Sequence, residues 1–152
     1  FLFKLLISYP KPSEEKKVLG QNTTLSSFED YPLKSILSPS KIISLQKKVK
    51  SVFASDAIDE YIVNIVNETR RKDTEYSRYI SYGASPRASI AIYIAAKAEA
   101  LMNGREFVTP DDVNVVVYPV LRHRIILNYE AEAEKITTDK VIKHILSKVR
   151  AP

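Results

Sequence analysis

The segment YGASPRASIAIYIAAKA, Tyr82 to Ala98, decides the fold because it has the pattern of a buried helix together with its start. Ser85 and Pro86 suit that start, since serine is favoured at the N-cap and proline at the first helical position. Apolar residues then occupy nearly every side of the segment, up to a stop signal at Gly104. The sequence therefore predicts a central helix ending at Asn103, with many alanines that allow neighbouring helices to approach closely.

Further segments combine a start signal with an apolar stripe at helical spacing. One helix is predicted from Pro39 to Phe53, a second after the cap residue Ser55, a third from Thr109, and a C-terminal helix from Thr138. The predicted inward residues are Ile42, Leu45, Val49 and Val52; Ile58, Tyr61, Ile62, Ile65 and Val66; Val113, Val116, Val117 and Val120; and Val141, Ile142, Ile145 and Val149. Pro119 should kink or end its helix, because proline lacks an N–H group and clashes with the preceding turn.

The first forty residues are less regular. Phe1 to Ile7 predicts a short strand, which ends at Tyr9 and Pro10. Ser13 to Leu19 predicts a short helix stopped by Gly20, and residues 21–39 predict a long connection rich in turn residues. Because the strand has no partner strand and the chain does not begin with Met, we expect it to be cut from a larger protein.

Composition sets the class of protein. With 152 residues, 45% apolar and 27% charged, the chain can form one soluble domain with a real core. It has no cysteine, which excludes disulfides and thiol chemistry, and no apolar run near the roughly 18 residues of a membrane span. We predict an all-α helical bundle of about five main helices with a short N-terminal strand.

Arg87 is unusual because it would be the second residue of the central helix. The N-terminus of a helix already carries positive potential, so an exposed cation there costs about 0.3–1 kcal/mol. The ordinary explanation, which local physics favours, is that Arg87 reaches water or pairs with a nearby acid. The functional alternative is that Arg87 and the helix N-terminus together face a phosphate, which a guanidinium can bind at two points.

The order of motifs along the chain resembles the C-terminal lid domain of the MoxR family of AAA+ ATPases. The motifs are Gly83–Ala88, the Ala-Ala-Lys-Ala pattern at Ala95–Ala98, Gly104–Arg105, Val108–Val113, Val120–Ile125, Tyr129–Ala133 and Ile136–Thr137. Each alone is a weak signal, whereas the ordered set is specific. The resemblance covers the whole chain. It implies that residues 1–9 are the remnant of the last strand of the AAA+ core and that residues 10–152 are the helical lid.

The resemblance also implies a function. Arg87 would be the sensor-2 residue, which reaches the terminal phosphates of ATP, with Gly83, Ala84, Ser85 and Pro86 completing its nucleotide-binding motif. The full-length protein would bind ATP and Mg²⁺ and form a ring, expected to be hexameric, in the cytoplasm. It would act as a chaperone in the assembly or maturation of protein complexes, often beside von Willebrand factor A-domain proteins.

The sequence also excludes part of that activity from this chain. A P-loop needs Gly-Lys followed by Ser or Thr, and the three glycines are followed by Gln21, Ala84 and Arg105. No acidic Mg²⁺ motif follows a core strand either. We therefore expect the chain alone to bind no cofactor and to hydrolyse no ATP, and we expect nucleotide chemistry only in the complete protein.

Other candidate sites have simpler explanations. Arg122, His123 and Arg124 form a weaker candidate for a subunit interface, although a histidine between arginines can also bind the carbonyls at a helix end. His144 has no second ligand at metal spacing, so no metal site is expected. Asp111 and Asp112 suit the first turn of a helix and need no acid-base role.

Two alternative functions remain open. The net charge of +5, with the basic stretches 47–50 and 70–72, would suit a helical module that binds nucleic acid. Because positive and negative residues are mixed along most of the chain, an ordinary solvated surface is favoured over nucleic acid. A purely scaffolding helical domain, in which nothing near Arg87 responds to nucleotide, is the other alternative.

Overall fold

The computed structural model describes residues 1–22 and 34–152, so most of the predicted connection over residues 21–39 lies outside the described residues. The described elements confirm the all-α prediction. The helices are α1 Pro12–Asn22, α2 Pro39–Ser51, α3 Asp56–Glu68, α4 Pro86–Met102, α5 Pro110–Leu121, α6 Tyr129–Ala133 and α7 Thr138–Lys148. A 3₁₀ turn, Ser77–Tyr79, leads into strand β1 Ile80–Tyr82, which pairs antiparallel with β2 Ile126–Leu127.

Helix α4 lies at the centre and packs against α5, α3 and α2. Its buried face consists mostly of alanines, which bring the backbones of α4 and its neighbours close together because a methyl group is the whole side chain. The buried residues of α4 are Ala88, Ala91, Ile92, Ala95, Ala96 and Ala100. The prediction of a central helix is confirmed, but Ile90, Ile94 and Met102 are exposed, so burial does not extend all round.

Helix α3 agrees with its predicted stripe in every residue. Ser55 caps it by accepting the N–H of Ile58 at 3.4 Å. The predicted residues Ile58, Tyr61, Ile62, Ile65 and Val66 are all buried. Tyr61 also donates its hydroxyl to Oδ1 of Asn114 on α5 at 2.9 Å, which satisfies the polar end of a buried ring.

Helix α2 departs from its prediction as a core-facing helix. No residue within it is buried, and Ile42 and Leu45 are 45% and 43% exposed. Only Val52, just beyond the helix, enters the core. The periodicity correctly predicts an apolar face, but it carries no information about which element covers that face, and within the described chain α2 packs mainly against α4.

The N-terminal segment also differs from expectation. The strand predicted for Phe1 to Ile7 does not form in the described chain, where the segment is exposed and the N–H of Lys4 donates to the carbonyl of Pro119 at 2.7 Å. A strand needs a row of bonds to a neighbouring strand, and here the neighbour is a helix end. Gly20 does not stop α1, which continues to Asn22. Gly20 lacks the positive φ typical of a glycine stop, whereas Gly104 has it.

One strand pairing was not predicted, and one predicted helix end is wrong. The pairing between β1 and β2 leaves no signal in the sequence, because both strands are too short to show an alternating pattern. Pro119 does not end α5, which continues for two more residues to Leu121. Proline removes only the hydrogen bond of its own nitrogen, and the N–H groups after it stay available: that of Arg122 donates to the carbonyl of Tyr118 at 3.1 Å.

The turn between α4 and α5 positions an ion pair with a buried carboxylate. Gly104, with φ of +73°, lets its own N–H and that of Arg105 return to the carbonyls of Leu101 and Ala100, which is a Schellman motif. Arg105 then donates two bonds of 2.6 Å to the carboxylate of Asp112, which is 2% exposed. Burial alone would raise the pKa of Asp112, but the bonds from Arg105 and Thr109 outweigh burial and lower that pKa.

Asp112→Asn should destabilise the fold. The amide cannot accept both guanidinium bonds and the two bonds from Thr109, so buried donors lose their partner. We expect the free energy of unfolding to fall by about 2 kcal/mol. The matched control is Asp111→Asn, which changes an exposed acid of the same first turn and should cost less than about 1 kcal/mol. Equal losses in urea unfolding of the two variants would contradict the role of the ion pair.

The same carboxylate should make stability depend on acid pH. The pKa of Asp112 is lower in the folded chain than in the unfolded chain, so its contribution is complete above the unfolded value of about 4. The contribution is lost as the pH falls below that value towards the folded pKa. The stability difference between the wild type and Asp112→Asn should therefore shrink in unfolding experiments below about pH 4. A difference that stays constant down to pH 2 would contradict this assignment.

Candidate functional site

The start of α4 is built differently from the starts of α3 and α5. Ser85 has the extended φ and ψ of an N-cap residue, −77° and 168°, but its hydroxyl makes no capping hydrogen bond. Pro86 occupies the first helical position, and the first turn contains no acid. By contrast, α3 and α5 carry Asp56 and Asp111 in the first turn. The positive end of the α4 dipole is therefore not compensated by a carboxylate of its own.

Arg87 lies in that first turn and is exposed. Its guanidinium makes no hydrogen bond or ion pair with any of residues 1–22 and 34–152. Of the two ordinary explanations for this arginine, pairing with a nearby acid is thus not found in the described chain, whereas exposure to water is. The arrangement places a guanidinium and a helix N-terminus, both of positive potential, at one point of the surface.

The loop before Arg87 is held firmly by the end of α3. Gly83 lies so close to this end that an added Cβ would be 2.8 Å from the carbonyl carbon of Thr69 and nearer still to its oxygen. The N–H of Ala84 donates to Oγ1 of Thr69 at 2.9 Å, and Nε of Arg70 donates to the carbonyl of Ala84 at 2.6 Å. The predicted motif residues Gly83 to Arg87 therefore belong to one well-supported loop and helix start.

Thr69 and Arg70 are the residues that sequence reasoning missed at this site. In the sequence, Arg70 stands out only as part of the basic stretch 70–72, and no local pattern singles out Thr69. Thr69 is 1% exposed and its side chain lies wholly in the interior. A polar residue three positions after Val66, the last apolar residue of the stripe, was the available signal. Its partner lies 15 residues away, so only the fold reveals the contact.

The second candidate, the basic triplet after α5, is occupied by contacts within the chain. Arg122 donates to both carboxylate oxygens of Asp139 at 2.7 and 2.9 Å. Arg124, and not His123, donates to the carbonyl of Val120 at the end of α5. His123 Nε2 and Arg124 Nη2 lie 3.2 and 3.1 Å from the carbonyl oxygen of Phe1. The triplet and Arg87 are not brought together by hydrogen bonds in the described chain.

The remaining candidates supply no further site. His144 packs against Tyr76 with 4.7 Å between ring centroids. No cluster of His, Cys, Asp or Glu that could hold a metal occurs within residues 1–22 and 34–152. Arg71 pairs with Asp73 and Glu68, which weakens one of the two basic stretches proposed for nucleic acid. None of the helices in the described ranges is long and apolar enough to cross a membrane.

Comparisons with known proteins agree with the motif order. The family model of the AAA lid domain matches residues 72–145, a range that includes the loop before α4 and Arg87. The chain is similar over its whole length to the chaperone MoxR1 of Mycobacterium tuberculosis, at 36% identity, and to the uncharacterised protein YeaC of Bacillus subtilis, at 38% identity. It spans 40% and 45% of the lengths of these two relatives.

A solved structure gives the same result. A crystal structure of a protein assigned as an ATPase from Cytophaga hutchinsonii superposes on the whole chain with a TM-score of 0.84 at 36% identity. The chain covers 47% of that structure. The two relatives and the solved structure therefore match the whole of this chain, and the chain spans less than half of each of them. The chain belongs to the MoxR family of AAA+ ATPases and carries its helical lid domain.

Proposed function

We propose that this chain is the nucleotide-sensing lid of a MoxR-type AAA+ ATPase and that Arg87 is its sensor-2 residue. One observation carries the proposal: Arg87 is exposed, without an acidic partner among the described residues, at a helix N-terminus that has no acid of its own. Both positive features favour an anion supplied from outside this chain. A bound phosphate would convert their mutual repulsion into a shared attraction.

The residues present fit part of a nucleotide site. Arg87 can form two parallel hydrogen bonds with a phosphate, and the loop from Gly83 to Pro86 holds the helix start that carries it. The phosphate loop and the Mg²⁺ ligands must come from elsewhere in the complete protein, because this sequence has no Gly-Lys followed by Ser or Thr. ATP with Mg²⁺ would supply the phosphoryl group that is transferred. Arg87 would stabilise the negative charge on that group.

The same contact would couple the nucleotide to the position of the lid. A ligand shifts a conformational equilibrium only through its different affinity for the two states. Arg87 would bind ATP, which has the terminal phosphate, more strongly than ADP, which lacks it. Because α4 is packed at the centre of the helical domain, a displacement of Arg87 towards the phosphate would move the domain as a body.

The proposal extends to the complete protein. Residues 1–9 would be the end of the last core strand, and residues 10–152 the lid. The AAA+ core of the complete protein would then cover part of the surface that is exposed in this chain. The complete protein would assemble as a ring, expected to be hexameric, in the cytoplasm. It would act as a chaperone for other protein complexes, including von Willebrand factor A-domain proteins. The interface role of Arg122, His123 and Arg124 remains a prediction.

Arg87→Ala in the complete ATPase tests the sensor-2 role. Removing one charge-stabilising donor from a phosphoryl-transfer site should lower kcat for ATP hydrolysis about 100-fold or more. The lid itself should stay folded, since Arg87 makes no contact on which packing depends. The matched control, Arg150→Ala, removes an exposed arginine outside α4 and should leave kcat unchanged. Normal turnover by Arg87→Ala, measured by phosphate release, would defeat the proposal.

A further inference from the structure

Thr69 is a buried polar residue whose hydroxyl both donates and accepts a hydrogen bond. It is 1% exposed and forms the C-cap of α3. Its Oγ1 donates to the carbonyl of Val66 at 2.7 Å and accepts the N–H of Ala84 at 2.9 Å. The first bond fixes the direction of the hydroxyl proton and leaves a lone pair for Ala84. Thr69 therefore joins the end of α3 to the loop that precedes α4.

Arg70 binds the other polar backbone group of Ala84, its carbonyl oxygen. Its Nε donates to the carbonyl of Ala84 at 2.6 Å, so side chains of two consecutive residues hold the N–H and the C=O of Ala84. We refer to Thr69, Arg70 and Ala84 as the Ala84 clamp. Ala84 is 1% exposed, and a buried N–H that lost its acceptor would have no access to water as a replacement. The clamp therefore favours one position of the loop.

Steric contact fixes the loop independently of these bonds. A Cβ added to Gly83 would lie 2.8 Å from the carbonyl carbon of Thr69, which is backbone and cannot rotate away. Only glycine lets the loop approach the end of α3 this closely. Hydrogen bonding at Ala84 and close approach at Gly83 thus set the same distance between α3 and the start of α4.

We infer that the Ala84 clamp positions Arg87 for its phosphate contact and that Thr69 is its central positioning residue. This inference rests on the proposed sensor-2 role of Arg87. Only Ser85 and Pro86 separate Ala84 from Arg87, and the fixed φ of Pro86 transmits a displacement of the loop to the helix start. Displacement of a reacting group by about 1 Å can lower a rate about 100-fold, so a small shift at Ala84 has a large effect on turnover.

The test uses the complete ATPase and compares Thr69→Val with Thr69→Ser. Valine has nearly the shape of threonine but lacks the hydroxyl, whereas serine keeps the hydroxyl. Thr69→Val should lower kcat about tenfold or more, and the Michaelis constant for ATP should change less. Thr69→Ser should keep most of the wild-type kcat. Gly83→Ala should lower kcat by a steric route, and Ser77→Ala, which removes a buried hydroxyl away from Ala84, should not.

The background of Arg87→Ala separates positioning from simple loss of structure. If Thr69 acts through Arg87, Thr69→Val should cause no further loss of kcat in that background, measured in single-turnover reactions. Equal losses in both backgrounds would show a merely structural role and overturn the inference. Normal turnover by Thr69→Val, while Arg87→Ala is impaired, would overturn the inference alone. Normal turnover by Arg87→Ala would instead defeat the proposed function itself.

In the chain of 152 residues, hydrogen exchange provides a second readout that needs no nucleotide. The amide of Ala84 donates to Thr69, so Thr69→Val should accelerate its exchange about tenfold or more. The amide of Ile62 in the middle of α3 serves as an internal reference and should exchange at an unchanged rate if the fold is intact. An unchanged rate at Ala84 would contradict the clamp.

Discussion

Close packing of α4 against α5 and α3 is the constraint on which the rest of the structure depends. Ala88, Ala96 and Ala100 are completely buried, and each contributes a single methyl group to the contact. The neighbouring helices fill the space with larger side chains, among them Val113 of α5 and Ile65 of α3. A larger residue at any of these alanines would overpack the contact, typically at a cost of about 1–3 kcal/mol. Small residues on α4 are therefore a condition for the arrangement of the other helices.

Both ends of α4 are then fixed by hydrogen bonds to other elements. The Ala84 clamp joins the loop before α4 to the end of α3. At the other end, the turn at Gly104 directs Arg105 to Asp112 in the first turn of α5. A helix held along its side and at both ends has little freedom to move alone. If Arg87 binds a phosphate as proposed, a movement of α4 on binding would therefore carry the neighbouring helices with it.

Patterns within one element could be predicted, whereas contacts between elements could not. The cap residue Ser55 and the apolar stripe of α3 depend on residues that lie close together in the sequence, and both were predicted correctly. The exposure of Ile42 depends on what packs over α2, and the strand predicted for Phe1 to Ile7 depends on a partner strand; no local pattern contains either fact. The role of Thr69 could not be predicted for the same reason, because this role arises from its contact with Ala84. The exposed position of Arg87 followed from its place in the helix.

A structure of the complete protein with a non-hydrolysable ATP analogue tests the central claim most directly. The decisive quantity is the distance between the guanidinium nitrogens of Arg87 and the oxygens of the terminal phosphate. The account predicts a charge-assisted hydrogen bond of about 2.7–2.9 Å with the analogue, and loss of that bond when ADP is bound. An Arg87 side chain that faces solvent in both nucleotide states, with no phosphate within reach, would contradict the account.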